Sequence, residues 1–96
     1  MTKTELYNKF RQEQYKADTE ALRWKIWALQ ADNEQDRAEC ERIAERDENQ
    51  AMGIFKASHN ILNNFSGQLD DETVEAMYAY LNMKEKYQNL CEEVAK

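Results

Sequence analysis

Apolar residues recur along most of this chain at helical spacing, in three stretches of different character. In the first, Leu6, Phe10, Ala17, Ala21 and Trp24 follow one another at intervals of three, four or seven, the spacing that lines one face of an α-helix. Thr2 and Glu5 stand in the T-x-x-E relation of a capping box and Glu5 precedes Lys9 by four residues, so a helix is predicted from about residue 3. Between Ala21 and Leu29 the face widens, because only Arg23 and Lys25 interrupt Ala21, Leu22, Trp24, Ile26, Trp27, Ala28 and Leu29. A helix that is apolar around most of its circumference needs cover on more than one side, from its own domain or from a partner.

The second stretch begins poor in apolar residues and ends rich in them. After Ala31, only Ala38, Cys40, Ile43 and Ala44 interrupt the polar run to Gln50, with Arg37 and Glu41 four apart and Glu39 and Arg42 three apart. That is the pattern of a solvated helix with one thin buried seam. Asp32 with Gln35 and Asp47 with Gln50 have capping-box spacing, so the chain is read either as one long helix or as broken near one of them. Met52, Ile54, Phe55, Ile61, Leu62 and Phe65 then restore an apolar face up to Ser66-Gly67. Gly67 is expected as a left-handed C-terminal cap, and Gly53 as a point of close helix packing.

A third helix is predicted from Asp70, as N-cap, nearly to Lys96. Asp71 and Glu72 occupy its first turn, Leu69 and Val74 form a hydrophobic staple, and Tyr80, Met83, Tyr87, Leu90 and Val94 keep three-four spacing. Val74, Met77 and Leu81 widen that face. The short linker Ser66 to Leu69 favours an antiparallel hairpin of the second and third helices.

Composition supports this reading. There is no proline and only two glycines among 96 residues, which leaves a sheet protein almost no turns. A chain 42% hydrophobic and 33% charged is too apolar to be disordered and too charged to bury its helices on all sides. The expected fold is all-α, a single all-helical domain over residues 1–96. It is a helical hairpin or three-helix bundle of long amphipathic helices with coiled-coil-like packing, over roughly 3–30, 33–65 and 70–95, with the first two separate or continuous. No run approaches a membrane span and Met1-Thr2-Lys3-Thr4-Glu5 lacks the apolar stretch of a secretory signal, so a cytoplasmic protein with no membrane role is expected.

Candidate chemistry is sparse. His59 has no E-x-x-H or H-E-x-x-H context, and on a straight helix Cys40 would lie about 28 Å from it. Cys91 sits among apolar or acidic neighbours, which favour an inert thiol. Asp32, Glu34 and Asp36 start like a calcium loop, but Arg37 and Ile43 occupy its required glycine and glutamate positions. No phosphate-cradling glycine motif occurs, so the sequence calls for no enzyme activity, metal or cofactor.

The expectation is therefore a non-enzymatic protein-interaction module. Its size class suits a small regulator or inhibitor, of the bacterial or phage accessory type, that binds a larger protein partner and self-associates as a homodimer or higher oligomer. The candidate interface residues are Leu22, Arg23, Trp24, Ile26, Trp27 and Tyr80, apolar side chains on faces too wide for a small core, with the hot-spot types tryptophan, tyrosine and arginine among them. The net charge of −6 suggests a second reading, because residues 31 to 50 hold eight acidic and three basic groups. Asp36, Glu39, Glu41 and Glu45 would then imitate a phosphate backbone and inhibit a nucleic-acid enzyme. A third reading is nucleic-acid binding through the basic-aromatic first helix, where Lys3, Lys9, Arg11, Lys16, Arg23 and Lys25 interleave with Tyr7, Phe10, Tyr15, Trp24 and Trp27. Four acidic groups interrupt it.

Overall fold

The computed structural model describes residues 1–95 and is all-helical, a three-helix bundle of α1 (Lys3–Leu29), α2 (Glu34–Leu62) and α3 (Asp71–Ala95). Each start follows from a local cap. Thr2 Oγ1 accepts from Glu5 N at 3.1 Å, Asn33 Oδ1 from Asp36 N at 2.8 Å, and Asp70 Oδ1 from Thr73 N at 2.8 Å, each satisfying an amide that the first turn leaves unpaired. The first two helices are separate, and the cap between them is Asn33 with Asp36 rather than Asp32 with Gln35. Asp47 and Gln50 lie inside α2 without a break.

Two glycine expectations are corrected. The left-handed cap of α2 is Asn63 (φ 52°), followed by Asn64 (φ 65°), so the helix stops three residues before Phe65 and Gly67 has no positive φ. Gly67 matters for space instead: a Cβ there would come within 3.2 Å of the Thr4 side chain and of Phe65. Gly53 faces open space, with nothing within 4 Å of the position a Cβ would take.

Helix α1 is the shared spine. Both α2 and α3 pack on it, while the Cα atoms of α2 and α3 nowhere approach within 8 Å of one another among the described residues. The expected hairpin of α2 and α3 is therefore not a packed unit: α3 crosses back to run parallel to α1. Helix α2 lies antiparallel to α1 over an alanine seam. Ala21 and Ala28 of α1, and Ala44 and Ala51 of α2, are each seven apart and buried, and the Lys25–Glu48 ion pair at 2.5 Å marks the antiparallel register between these two pairs of alanines. Small side chains let the two backbones approach closely.

The α1–α3 contact has a different character. Asn8, Tyr15 and Leu22 run seven apart along α1, opposite Thr73, Tyr80 and Tyr87 at the same spacing on α3, with the Tyr15 and Tyr80 rings 5.8 Å apart. At the upper end the contact is polar. Asn8 Nδ2 donates to Thr4 O and Gln68 O, both at 2.9 Å, and its Oδ1 accepts from Asp70 N at 2.9 Å. The Thr73 hydroxyl accepts from Gln12 Nε2 at 2.9 Å and donates to Asp70 Oδ1 at 2.6 Å. Asn8 and Thr73 are buried, and buried polar groups persist only when partnered in this way.

Large apolar residues in the core are few: Tyr15, Leu22, Ile26 and Leu62. The molecule measures 48 × 21 × 17 Å with a radius of gyration of 15.4 Å, against about 12.5 Å for a compact chain of this length. Its accessible surface is 6806 Å², roughly 1,000 Å² more than the about 5,800 Å² usual for a folded monomer of this mass.

The clamp generates two expectations. Asn8→Ala removes three hydrogen bonds and leaves Gln68 O and Asp70 N without their partner, so chemical denaturation should show a loss of about 2 kcal/mol; an unchanged midpoint would show the clamp to be dispensable. Hydrogen bonds from the Thr73 hydroxyl and amide hold the Asp70 carboxyl below its ordinary value of 3.8. A lowered carboxyl contributes stability that is present above the unfolded value and lost as pH falls through the folded one. Melting of wild type and Asp70→Asn should therefore converge below about pH 4, with the variant the less acid-sensitive of the two.

Candidate functional site

Because α1 is covered on two sides, its apolar excess divides into a consumed part and an available part. Leu22 and Ile26 are buried in the chain's own core, as are Ala21 and Ala28. Those two expected interface residues are therefore corrected to core positions: Leu22 continues the row of Asn8 and Tyr15 that faces α3, and Ile26 lies one turn beyond it. Trp24 is half-buried and Trp27 is 45% exposed. Their rings meet edge to face at 4.6 Å, and they form an open hollow with Ala31, Cys40 and Ile43 at the hairpin end of the molecule, where α1 turns into α2. Arg23 is exposed and paired with Glu20 at 2.5 Å. Tyr80 is half-buried between Tyr15 and Lys84, so it does not join the tryptophans.

A second surface is the trough between α2 and α3. Its floor is a line on α1 that recurs every seven residues, Arg11, Asp18 and Lys25, each half-buried. Arg11 lies over the Tyr15 ring and donates to the Tyr15 hydroxyl, and its Nε is buried without a partner. Burial first, and the nearby Glu48 second, push the Asp18 carboxyl above its ordinary 3.8, against the lowering influence of Lys25 and Arg11. Lys25 bridges the trough, paired with Glu48 on α2 and 5.7 Å from the centroid of the Tyr87 ring on α3. A hydrogen bond with Cys91, and then burial, push the Tyr87 phenol above 10.0. Beyond that bridge the trough is lined by Leu29, Ala44, Tyr87 and Val94, with Glu41 and Glu45 beside Arg37 on its α2 wall.

The four acids of the phosphate-mimic reading fall on two faces. Asp36 and Glu39 border the tryptophan hollow, while Glu41 and Glu45 line the trough. The basic-aromatic set of α1 is likewise dispersed, with Tyr15 buried and Arg11, Arg23 and Lys25 each engaged within the chain. Cys40 and Cys91 are free thiols. Among the described residues no group of three or more His, Cys, Asp or Glu side chains is placed to hold a metal ion, and no helix is long and apolar enough to cross a membrane. His59 stacks edge-on against Phe55 at 4.5 Å and contacts Asn64 Oδ1 at 2.5 Å.

Sequence reasoning did not single out Lys25, Glu48, Lys84 and Tyr87 as a group. The available signal was the seven-residue recurrence of Arg11, Asp18 and Lys25, a charged line that bisects an otherwise apolar helix and marks the gap between its two neighbours. The tryptophans can be told apart in solution: acrylamide should quench emission from Trp27 in Trp24→Phe more strongly than emission from Trp24 in Trp27→Phe, and equal quenching would mean that both rings are equally covered. Compared with models of protein families, with curated proteins and with solved structures, the chain finds no match.

Proposed function

We propose that this chain is a non-enzymatic protein-interaction module, a small regulator or inhibitor of the bacterial or phage accessory type that binds a larger protein partner and self-associates. The observation that carries this reading is the surplus of about 1,000 Å² of accessible surface on a chain whose helices leave Trp27, Phe55, Leu81 and Val94 exposed. Large apolar side chains left exposed beyond a thin core are the usual material of contact surfaces. The heterologous partner is assigned to the hairpin end, where the paired tryptophans offer rigid aromatic area bordered by Asp36 and Glu39. Aromatic anchors within a polar rim are the usual anatomy of an interface. The phosphate-mimic alternative asks for one continuous row of carboxylates, and the division of its four acids between two faces lends it no support.

Affinity capture from the native host, read by mass spectrometry, tests the reading with wild-type and Trp27→Glu baits of equal helicity. The expected result is one protein retained by the wild type and reduced about tenfold or more with the variant, as loss of an aromatic anchor implies. A wild-type bait that retains no protein, or a variant that retains it equally well, would sink the assignment.

A further inference from the structure

We propose that the trough between α2 and α3 receives α3 of a second copy of this chain, across a twofold axis that passes beside Tyr87 and Gln88. The proposal rests on the self-association put forward above and gives it a place. Two observations lead to it.

The first is area. The surplus of roughly 1,000 Å² compares with the about 800 Å² that each partner contributes to a standard stable interface. The trough is where the missing cover belongs, because α2 and α3 are each packed on α1 and not on each other. It also runs along the long dimension of the molecule, whereas the tryptophan hollow occupies one end.

The second is charge. Glu41 and Glu45 on the α2 wall, and Lys84 on the α3 wall, belong to no ion pair within 4 Å among the described residues. They cannot meet within one copy, because they stand at different heights: Lys84 shares its section of the trough with Asp18 and Leu22, and Glu41 and Glu45 share theirs with Leu29 and Val94. Leu22 and Leu29 are seven residues apart, about 10 Å along α1. The Lys25, Glu48 and Tyr87 bridge lies midway. A twofold axis at that height exchanges the two sections, so that Lys84 of each copy arrives at Glu41 and Glu45 of the other.

The contact is isologous, so every favourable charge pair is made twice.

Light scattering coupled to size exclusion, on the full chain, tests this. The wild type is expected at 22.8 kDa, twice the 11.4 kDa of one copy. K84E and the double variant E41K/E45K should each raise the dimer dissociation constant about tenfold or more, because like charges then meet. Mixed in equal amounts, the two variants should recover wild-type affinity as a heterodimer, since each supplies the charge that the other now requires. Recovery on mixing separates a charge effect from misfolding, and Lys84→Gln, a gentler change, should weaken the dimer by a smaller factor. A dimer indifferent to these variants, or variants of normal helicity that stay monomeric when mixed, would overturn the trough assignment alone. A monomeric wild type would overturn both it and the self-association, while leaving capture through Trp27 to stand or fall separately.

Discussion

One buried side-chain amide decides how the third helix lies. Asn8, on the second turn of α1, holds the backbone at both Gln68 and Asp70, and Asp70 in turn caps α3 through Thr73. A buried amide left without partners costs about 1–3 kcal/mol, so the start of α3 cannot drift from α1 without exposing that loss. The clamp ties the connecting segment to the N-terminal end of α1, and α3 has no course open to it except along α1. Gly67 serves the same approach, since it lets the segment pass Thr4 at a distance that a Cβ would obstruct.

From that constraint the shape of the molecule follows. With α3 held on one flank of α1 and α2 on another, α1 is used twice and its neighbours only once. The α1–α2 contact is made by alanines and the α1–α3 contact by a polar clamp and tyrosines, so neither buries many large apolar side chains. The result is an elongated bundle with a thin core and more surface than its mass requires. The apolar excess of Ala21 to Leu29 is the counterpart of this arrangement: a helix covered on two sides needs two apolar flanks.

The line of Arg11, Asp18 and Lys25 lies where α1 is only half covered by its neighbours. Charges of alternating sign keep that floor compatible with water in a single copy, and the Lys25–Glu48 pair spans it. Burial and the nearby Glu48 raise the Asp18 carboxyl on this floor against the pull of Lys25 and Arg11. The tryptophan hollow is different, apolar at its centre and acidic at its edge.

The helical class, the three segments and two of the three N-caps were legible in the sequence, because periodicity and capping are local: the spacing of apolar residues and the Thr2 and Asp70 side chains act within a few residues of where they stand. The surplus of apolar residues around Leu22 to Leu29 was legible too, although its division was not. Whether Leu22 and Ile26 face the core or a partner depends on which helix lies beside them, and that was decided by contacts 60 and more residues apart, those of Asn8 with Gln68 and Asp70 and of Gln12 with Thr73. Single polar residues of this kind carry no periodic signal. Long amphipathic helices with more apolar face than a small core can absorb were written into the order of residues alone. Which side chains are covered and which stay exposed came with the packing, because burial belongs to pairs of helices and not to any one of them.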